Sequence, residues 1–435
     1  MINTEIEIKD LSITTRKDFP FYKNHPEMTY LDSAATSLTP QSVIEAISGY
    51  YNNYSVNIHR GVYKLSMAAT DIFESVREKV KRFLQAPDDF EVIFLRGTTE
   101  ALNLLATSFE RTDMQLSSFS DAWDRGYSKD DVIILSESEH HSNIVPWQIT
   151  AMKSGVEIIY IPVDHKGALD LAEFEKIRDR LKNRCVKLIS LSQVSNVTGV
   201  VHDLTPFVTY AREKGAIFIV DGAQSVSHRK VNLKELGADF YAFSAHKMTG
   251  PTGIGVLVGR RSLLELMVPF MGGGDMILEV YKDHTSYNAP PHKFEAGTPD
   301  IGGVFGLSAA IDYLESTGME RIDQWEKNLL HYTLKNFKQQ NIKVHGPSLE
   351  EIESGVVEKV GVVSFEIDGV HPHDVGTIFD DYNVCIRAGH HCCQLLMQKW
   401  NVAATNRASF YMYNNYKDID RLLEAVVSVR KIFKR

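Results

Sequence analysis

The chain has 435 residues, 43% of them hydrophobic and 24% charged, which excludes a disordered polypeptide and suffices for a large α/β core with a smaller second domain. Its 56 acidic and 47 basic residues leave a net charge of -9 without any long Lys/Arg run, so neither nucleic acid nor an anionic membrane is an expected partner. Four cysteines (Cys185, Cys385, Cys392 and Cys393) form neither a disulfide framework nor a zinc-type spacing, which fits a reducing cytosol and predicts no bound metal. Residues 1–10 are polar and acidic rather than leader-like, and no apolar run reaches membrane-spanning length, so a cytoplasmic protein with a small substrate is expected.

In chain order, Thr39-Pro40 caps and opens a helix whose apolar residues Val43, Ile44, Ile47, Tyr50 and Tyr51 fall on one side, a packing element. Seven short β-like runs follow, at 91–95, 132–135, 156–161, 186–191, 216–220, 239–243 and 254–258, most of them separated by helical patterns. That alternation predicts an α/β fold with a doubly wound, mostly parallel seven-stranded sheet covered by helices on both faces. Residues 110–131, including Ser117-Ser118-Phe119-Ser120, interrupt the rhythm as a surface loop or short helix. From about residue 305 the style changes to a helix at 306–316, a charged helix to about 340, strands at 360–367 and 384–386, and a last helix at 419–433. The expected division is an extension at 1–28, a large domain at 29–304 and a small C-terminal α/β domain at 305–435.

Chemistry-bearing residues gather where the strands end. Gly97-Thr98-Thr99-Glu100 follows the first run and opens a helix, where free N–H groups with the hydroxyls of Thr98 and Thr99 form a phosphate cradle; alone, this is equally an ordinary helix cap. His140, in Glu139-His140-His141-Ser142-Asn143, is placed to stack on a flat ring, and Asn196 to reach a carboxylate or cofactor oxygen, against the plainer readings of a surface histidine and a turn asparagine. Asp221 closes the fifth run, with Gln224 three residues later, and Ser244, His246 and Lys247 close the sixth. Ligands of open α/β sheets bind at that carboxyl edge. A lysine amine, a carboxylate to face a pyridine nitrogen, and hydroxyl and imidazole donors for a phosphate are together what pyridoxal 5'-phosphate needs. Taken singly, Asp221 is a helix cap and Lys247 a solvated lysine; their pairing disfavours that account. Lys247, once released by an amino-acid substrate, lies beside Cα as a proton shuttle. Near the C-terminus, Arg387 and Arg407 offer a bidentate grip on a carboxylate, and Cys392 stands between them flanked by histidines that favour its thiolate.

With these residues in place the chain resembles the class V aminotransferase superfamily of fold type I, and within it the SufS-like (group II) cysteine desulfurases. The resemblance runs through Leu31-Asp32-Ser33-Ala34-Ala35, Asn57-Ile58-His59-Arg60-Gly61, Gly97-Thr98-Thr99-Glu100, the Glu139 to Trp147 stretch, Val220-Asp221-Gly222-Ala223-Gln224, His246-Lys247, Phe294-Glu295-Ala296-Gly297-Thr298-Pro299 and Arg387-Ala388-Gly389-His390-His391-Cys392. It implies conversion of L-cysteine to L-alanine with the sulfur captured on Cys392 as a persulfide. By that resemblance Lys247 carries the cofactor, His140 stacks on it, Asp221 and Gln224 tune its ring, and Thr99, Ser244 and His246 hold its phosphate. Arg407 with Asn196 binds the substrate carboxylate and Arg387 assists, with Ala34 and His59 also among the substrate-binding residues. Thr298 reaches the phosphate of a second subunit, which implies an obligate homodimer. A sulfur acceptor of the SufE or SufU type is implied, serving iron–sulfur clusters or another sulfur pathway.

Two departures stand out: Cys393 occupies a position where a small residue such as alanine is usual, and Asp300 one where asparagine is common. Adjacent Cα atoms lie about 3.8 Å apart, below the roughly 4.4 Å lower limit for disulfides, so Cys393 reads as a bystander. The rival readings are a selenocysteine lyase, another class V enzyme such as a transaminase or epimerase, which needs no cysteine at 392, and a metal scaffold at His390-His391-Cys392-Cys393. The last is disfavoured because contiguous ligands seldom all point at one ion.

Overall fold

The apolar runs build one sheet of seven strands: β1 (Phe90–Leu95), β2 (Asp131–Ser136), β3 (Glu157–Ile161), β4 (Cys185–Ser192), β5 (Ile217–Asp221), β6 (Phe240–Ser244) and β7 (Gly255–Arg260). These come from a computed structural model that describes residues 10–111, 120–123 and 126–434. The strand order is β1-β7-β6-β5-β4-β2-β3. β2 to β6 pair in parallel, and β7 runs antiparallel to both β1 and β6. All seven expected strands are present, each boundary within two residues.

Both faces are covered, which is why the strands read as unbroken apolar runs. Side-chain alternation splits them between two cores: Val132 and Ile134 of β2 join one, Ile133 and Leu135 the other. Helices α3 (Thr98–Arg111) and α4 (Val145–Ser154) close one face through Leu102, Leu105 and Trp147. Helix α6 (Thr205–Lys214), after α5 (Leu171–Arg180), closes the other through Phe207 and Tyr210. Each fully buried aliphatic or aromatic side chain of this kind stabilises the sheet by about 1.5–3 kcal/mol. The parallel strands therefore end together, and their carboxyl ends carry Ser192, Asp221 and Ser244.

The early helix α1 runs from Gln41 to Asn53, with Val43 and Tyr50 buried and Pro40 at its cap position without a side-chain cap bond; α2 spans Lys64–Phe83. Helix α7 (Ile301–Thr317) packs against α1, and Gly306 permits the approach, since a Cβ there would sit 2.8 Å from Ile47 Cγ1. The division expected at 304/305 falls inside this helix. After α8 (Met319–Gln339) comes a second sheet of β8 (Lys343–His345), β9 (Val362–Glu366), β10 (Arg387–Gly389) and β11 (Thr405–Ser409) in antiparallel order β8-β9-β11-β10, with helices α9 (Pro372–Asp381) and α10 (Tyr416–Ile432).

The start of the chain belongs with this second sheet. Thr29–Tyr30 pairs in parallel with Val384–Cys385, Arg16 bonds Asp418 at 2.7 Å, and the Phe19 ring meets Tyr413 edge-on at 4.8 Å. The polar character expected of residues 1–9 and the loop expected at 117–119 lie outside the described residues; Ser120 to Trp123 form a short turn that buries Trp123. Among the described residues no helix is long and apolar enough to cross a membrane.

Candidate active site

At the carboxyl edge of the sheet a pocket is lined by Ala34, Thr98, Thr99, His140, Asn196, Asp221, Gln224, Ser244, His246, Lys247, Arg387 and Arg407. Twelve of the residues expected at the site thus converge from eight stretches of chain. One end of the pocket is built where β1 turns into α3. Ser244 Oγ accepts from Thr98 N at 2.8 Å and lies 2.8 Å from Thr98 Oγ1, while Thr99 Oγ1 meets Ser142 Oγ at 2.7 Å. A side chain on Gly97 is disfavoured by its φ of 156° and by Ser244 Oγ, 3.1 Å from where its Cβ would sit, while a Cβ on the neighbouring Gly255 would lie 2.3 Å from the Gly97 Cα.

His140 caps a short turn: its Nδ1 accepts from Ser142 N at 3.1 Å, which leaves the ring proton on Nε2. Burial, reinforced by Lys247, pushes the imidazole down to about 3, so it stays a neutral flat ring at physiological pH. Burial likewise pushes His246 down to about 4, with Nδ1 3.2 Å from Thr36 Oγ1. Asp221 is buried at the end of β5 and its Oδ1 accepts from Ala223 N at 2.9 Å; burial raises its carboxyl above the usual range, against the pull of Lys247. Desolvation lowers the Lys247 amine to about 8, with Asp221 opposing.

Gln224 supplies a test of fit. Its Nε2 donates to Ala34 O at 2.8 Å, whereas its buried Oε1 has no partner in the chain and is free to accept from a ring hydroxyl. Arg407 is fully buried; Nη1 donates to Asn196 O at 2.9 Å and Nη2 to Asp32 Oδ1 at 3.0 Å, leaving Nε unpartnered. The Asn196 amide turns to the small domain, with Nδ2 donating to His391 O at 2.7 Å. Arg387 Nη2 lies 4.0 Å from Cys392 Sγ.

Cys392 follows β10 on a loop in which both His391 and Cys392 adopt left-handed backbone angles, φ 53° and 55°. Cys393, the next residue, is fully buried; its Sγ donates to Ser138 O at 3.3 Å, and burial drives its thiol far above the ordinary range. Two expected residues stand apart in the single chain. His59 lines a separate cleft beside Glu74 and His292, and Thr298 lines another with Arg96, Glu100 and Met271.

Four contributors escaped sequence reasoning. Asp32, Ser142 and His391 belong to motifs noted above without an assigned role, and Thr36 gave no signal beyond being a hydroxyl. Beneath His140, the carboxyl of Glu139 is fully buried and pushed up to about 7 by burial, accepting from Ser136 Oγ at 2.5 Å and Asn143 Nδ2 at 2.7 Å.

A lysine with a lowered pKa, a buried aspartate, an acceptor left open and a hydroxyl-rich helix start, all at one parallel sheet edge, define a pyridoxal-phosphate enzyme site. The chain belongs to the class-V aminotransferase family, whose description, Aminotransferase class-V, matches residues 29–422. Similar proteins include the probable cysteine desulfurase of Halalkalibacterium halodurans, 42% identical over 94% of this chain and 95% of the relative. The cysteine desulfurase of Serratia proteamaculans is 40% identical over 96% and 98%. Among solved structures, the apo cysteine desulfurase of Thermococcus onnurineus superposes with a TM-score of 0.86 at 39% identity, covering 96% of this chain and 97% of that one. The Escherichia coli cysteine desulfurase CsdA, solved as an S-sulfonic acid, gives 0.83 at 34%, covering 97% and 98%.

Proposed function

We propose that this chain is a cysteine desulfurase that converts L-cysteine to L-alanine and retains the sulfur on Cys392 as a persulfide. The observation that carries this reading is a small-domain cysteine whose Sγ lies 4.0 Å from the guanidinium of Arg387, a residue that lines the pocket together with Lys247, Asp221 and the hydroxyl cradle. Lys247 would hold the cofactor covalently, with Asp221 opposite its ring nitrogen, Gln224 Oε1 at its ring hydroxyl and His140 against its face. Thr98, Thr99, Ser244 and His246 would take its phosphate. When bound, pyridoxal phosphate supplies an electron sink for the substrate's α-carbon.

The protein's own groups do the rest. Arg407 through its free Nε, assisted by Arg387, grips the substrate carboxylate. Lys247, whose amine sits near 8, takes the Cα proton and returns one later in the cycle. Cys392 as thiolate attacks the substrate sulfur: an S–S bond forms, the Cβ–S bond breaks, and its electron pair stays with the carbon skeleton, which gains a proton to become alanine. Incubation with L-cysteine, with and without reductant, tests this by measuring alanine, sulfide and the mass of a Cys392 persulfide. Alanine without either sulfur product would move the enzyme to another class V activity, and a parallel assay with L-selenocysteine separates a selenocysteine lyase.

The same reading includes a homodimer in which Thr298 reaches the second subunit's phosphate, a SufE- or SufU-type sulfur acceptor for iron–sulfur or other sulfur pathways, and a cytosolic location. Support for a second copy comes from exposed apolar side chains at Val62, 95% exposed, and on the hairpin of Ile277–Val280 and Thr285–Tyr287, where Leu278, Val280 and Tyr281 face outward. All four cysteines are free, in keeping with a reducing compartment.

A further inference from the structure

Away from the pocket, side chains from three separated stretches meet: His59 before α2, Glu74 on α2, and His292 in the turn His292–Phe294. Their ligating atoms all lie within 4.8 Å of one another, with His59 Nε2 2.9 Å from Glu74 Oε1 and the two imidazole rings 5.2 Å apart between centroids. A tetrahedral zinc ion with bonds of about 2.0–2.1 Å holds its ligand atoms roughly 3.3 Å apart, so small side-chain rotations close the set. An ordinary His–Glu hydrogen bond accounts for His59. The His292 ring meets His59 only through an edge-on contact at 75° and makes no hydrogen bond among the described residues, although one of its nitrogens lies within 4.8 Å of the same carboxylate.

The carboxylate is oriented from behind, as metal ligands are. Arg77 Nε donates to Glu74 Oε2 at 2.8 Å and Nη2 to Oε1 at 3.1 Å, and Arg77 is itself gripped by Glu295 through bonds of 2.7 and 2.8 Å. A carboxylate offers about four lone-pair sites, so this support leaves one on Oε1 for a cation. His59 is fixed by its own backbone, whose N–H donates to Thr70 Oγ1 at 2.9 Å. The cluster is half-buried and opens on a cleft that also holds Asp275 and Asn288.

We propose that His59, Glu74 and His292 form a zinc-binding site with three protein ligands and a fourth position for water. Two imidazoles and one carboxylate suit zinc rather than magnesium or calcium, which prefer oxygen throughout. The ion would tie the loop at 57–61, helix α2 and the segment leading to Thr298 into one unit. This goes beyond the desulfurase reading, does not rest on it, and gives His59, which lies outside the pocket, a role other than the substrate binding implied by the resemblance.

The test uses holoenzyme carrying Cys392→Ser, so that the thiol beside His390 and His391 contributes nothing. Equilibrium dialysis against zinc should leave one ion per chain, and cobalt in its place should show the visible absorption of a tetrahedral site. Adding His292→Ala should weaken zinc binding by at least roughly 10- to 100-fold, the loss typical of removing even an outer-shell partner, and abolish the cobalt signal. His292→Asp, which restores an oxygen ligand, should recover part of the affinity, and that rescue separates a lost ligand from a lost fold. No retained zinc, or equal zinc affinity with and without His292→Ala, overturns the proposal.

Discussion

The carbonyl of Cys392 accepts a 2.7 Å hydrogen bond from the backbone N–H of His141, so the loop carrying Cys392 is fastened to the loop carrying His140. Gln394 N donates to His141 Nε2 at 3.2 Å and Asn196 holds His391 from the other side, so three bonds from the large domain support a turn with two left-handed non-glycine residues. Such conformations cost about 1–3 kcal/mol each and persist where their surroundings over-determine them.

Removing either of the adjacent cysteines should have opposite consequences. Cys392→Ala should abolish sulfide and persulfide formation, a loss of several orders of magnitude, because the nucleophile itself is gone. Cys393→Ala should keep most activity and lose about 1 kcal/mol of stability, since its buried thiol fills space and bonds Ser138 O. Persulfide mapping by mass spectrometry alongside alanine release checks both, and persulfide found mainly on Cys393 would reverse the assignment.

Lys247→Ala should fold normally yet hold no cofactor through a borohydride-reducible link. Wild-type turnover together with such a link in the variant would show that another amine serves.

Cofactor capture by apo-protein should follow the neutral form of Lys247. Burial lowers its amine from 10.5 to about 8, so the reactive free amine grows as pH rises and is nearly complete about one unit above 8. Stopped-flow absorbance with free pyridoxal phosphate should show a rate that climbs through pH 8 and then levels. A rate still rising steeply toward pH 10 is the contrary result.

Asp32→Ala strips the counter-charge from the fully buried Arg407. Breaking a buried pair costs about 3–5 kcal/mol, and the partial exposure of Asp32 places this case near 3. Urea denaturation should show that loss, with a raised KM for L-cysteine as Arg407 loses its anchor. Asp32→Asn, which keeps an acceptor, should cost less on both measures.

If Thr298 acts across the dimer, mixing Lys247→Ala subunits with Thr298→Ala subunits should restore part of the activity, because one hybrid site regains both residues. Verified heterodimers without recovery would argue that each chain completes its own site.

Residues acting through local pattern were legible before any fold was known. The strands announced themselves as apolar runs, and Thr98, Asp221, Ser244 and Lys247 could be placed at their carboxyl ends because a parallel sheet aligns those ends whatever its strand order. β8, β10 and β11 were not legible, the strand expected at 384–386 being Val384–Cys385, which pairs with Thr29–Tyr30 instead. Lys-Val-His is too short to show a period, and Thr-Asn-Arg-Ala-Ser is polar although fully buried, since its side chains bond Asp32, His391 and the segment around Leu31 rather than packing as hydrocarbon.

The sequence by itself determined the sheet, the edge at which a ligand binds and the kinds of group collected there, because burial period and strand ends are properties of neighbouring residues. Only the tertiary structure decided which groups meet. Asp32 finds Arg407 across 375 positions, and His59, Glu74 and His292 converge from a loop, a helix and a turn. Cys392 and Cys393, side by side in the chain, part into a half-buried thiol and a fully buried one. Such pairings depend on how helices cross and loops close over the sheet, a matter of packing between distant segments that no local pattern records.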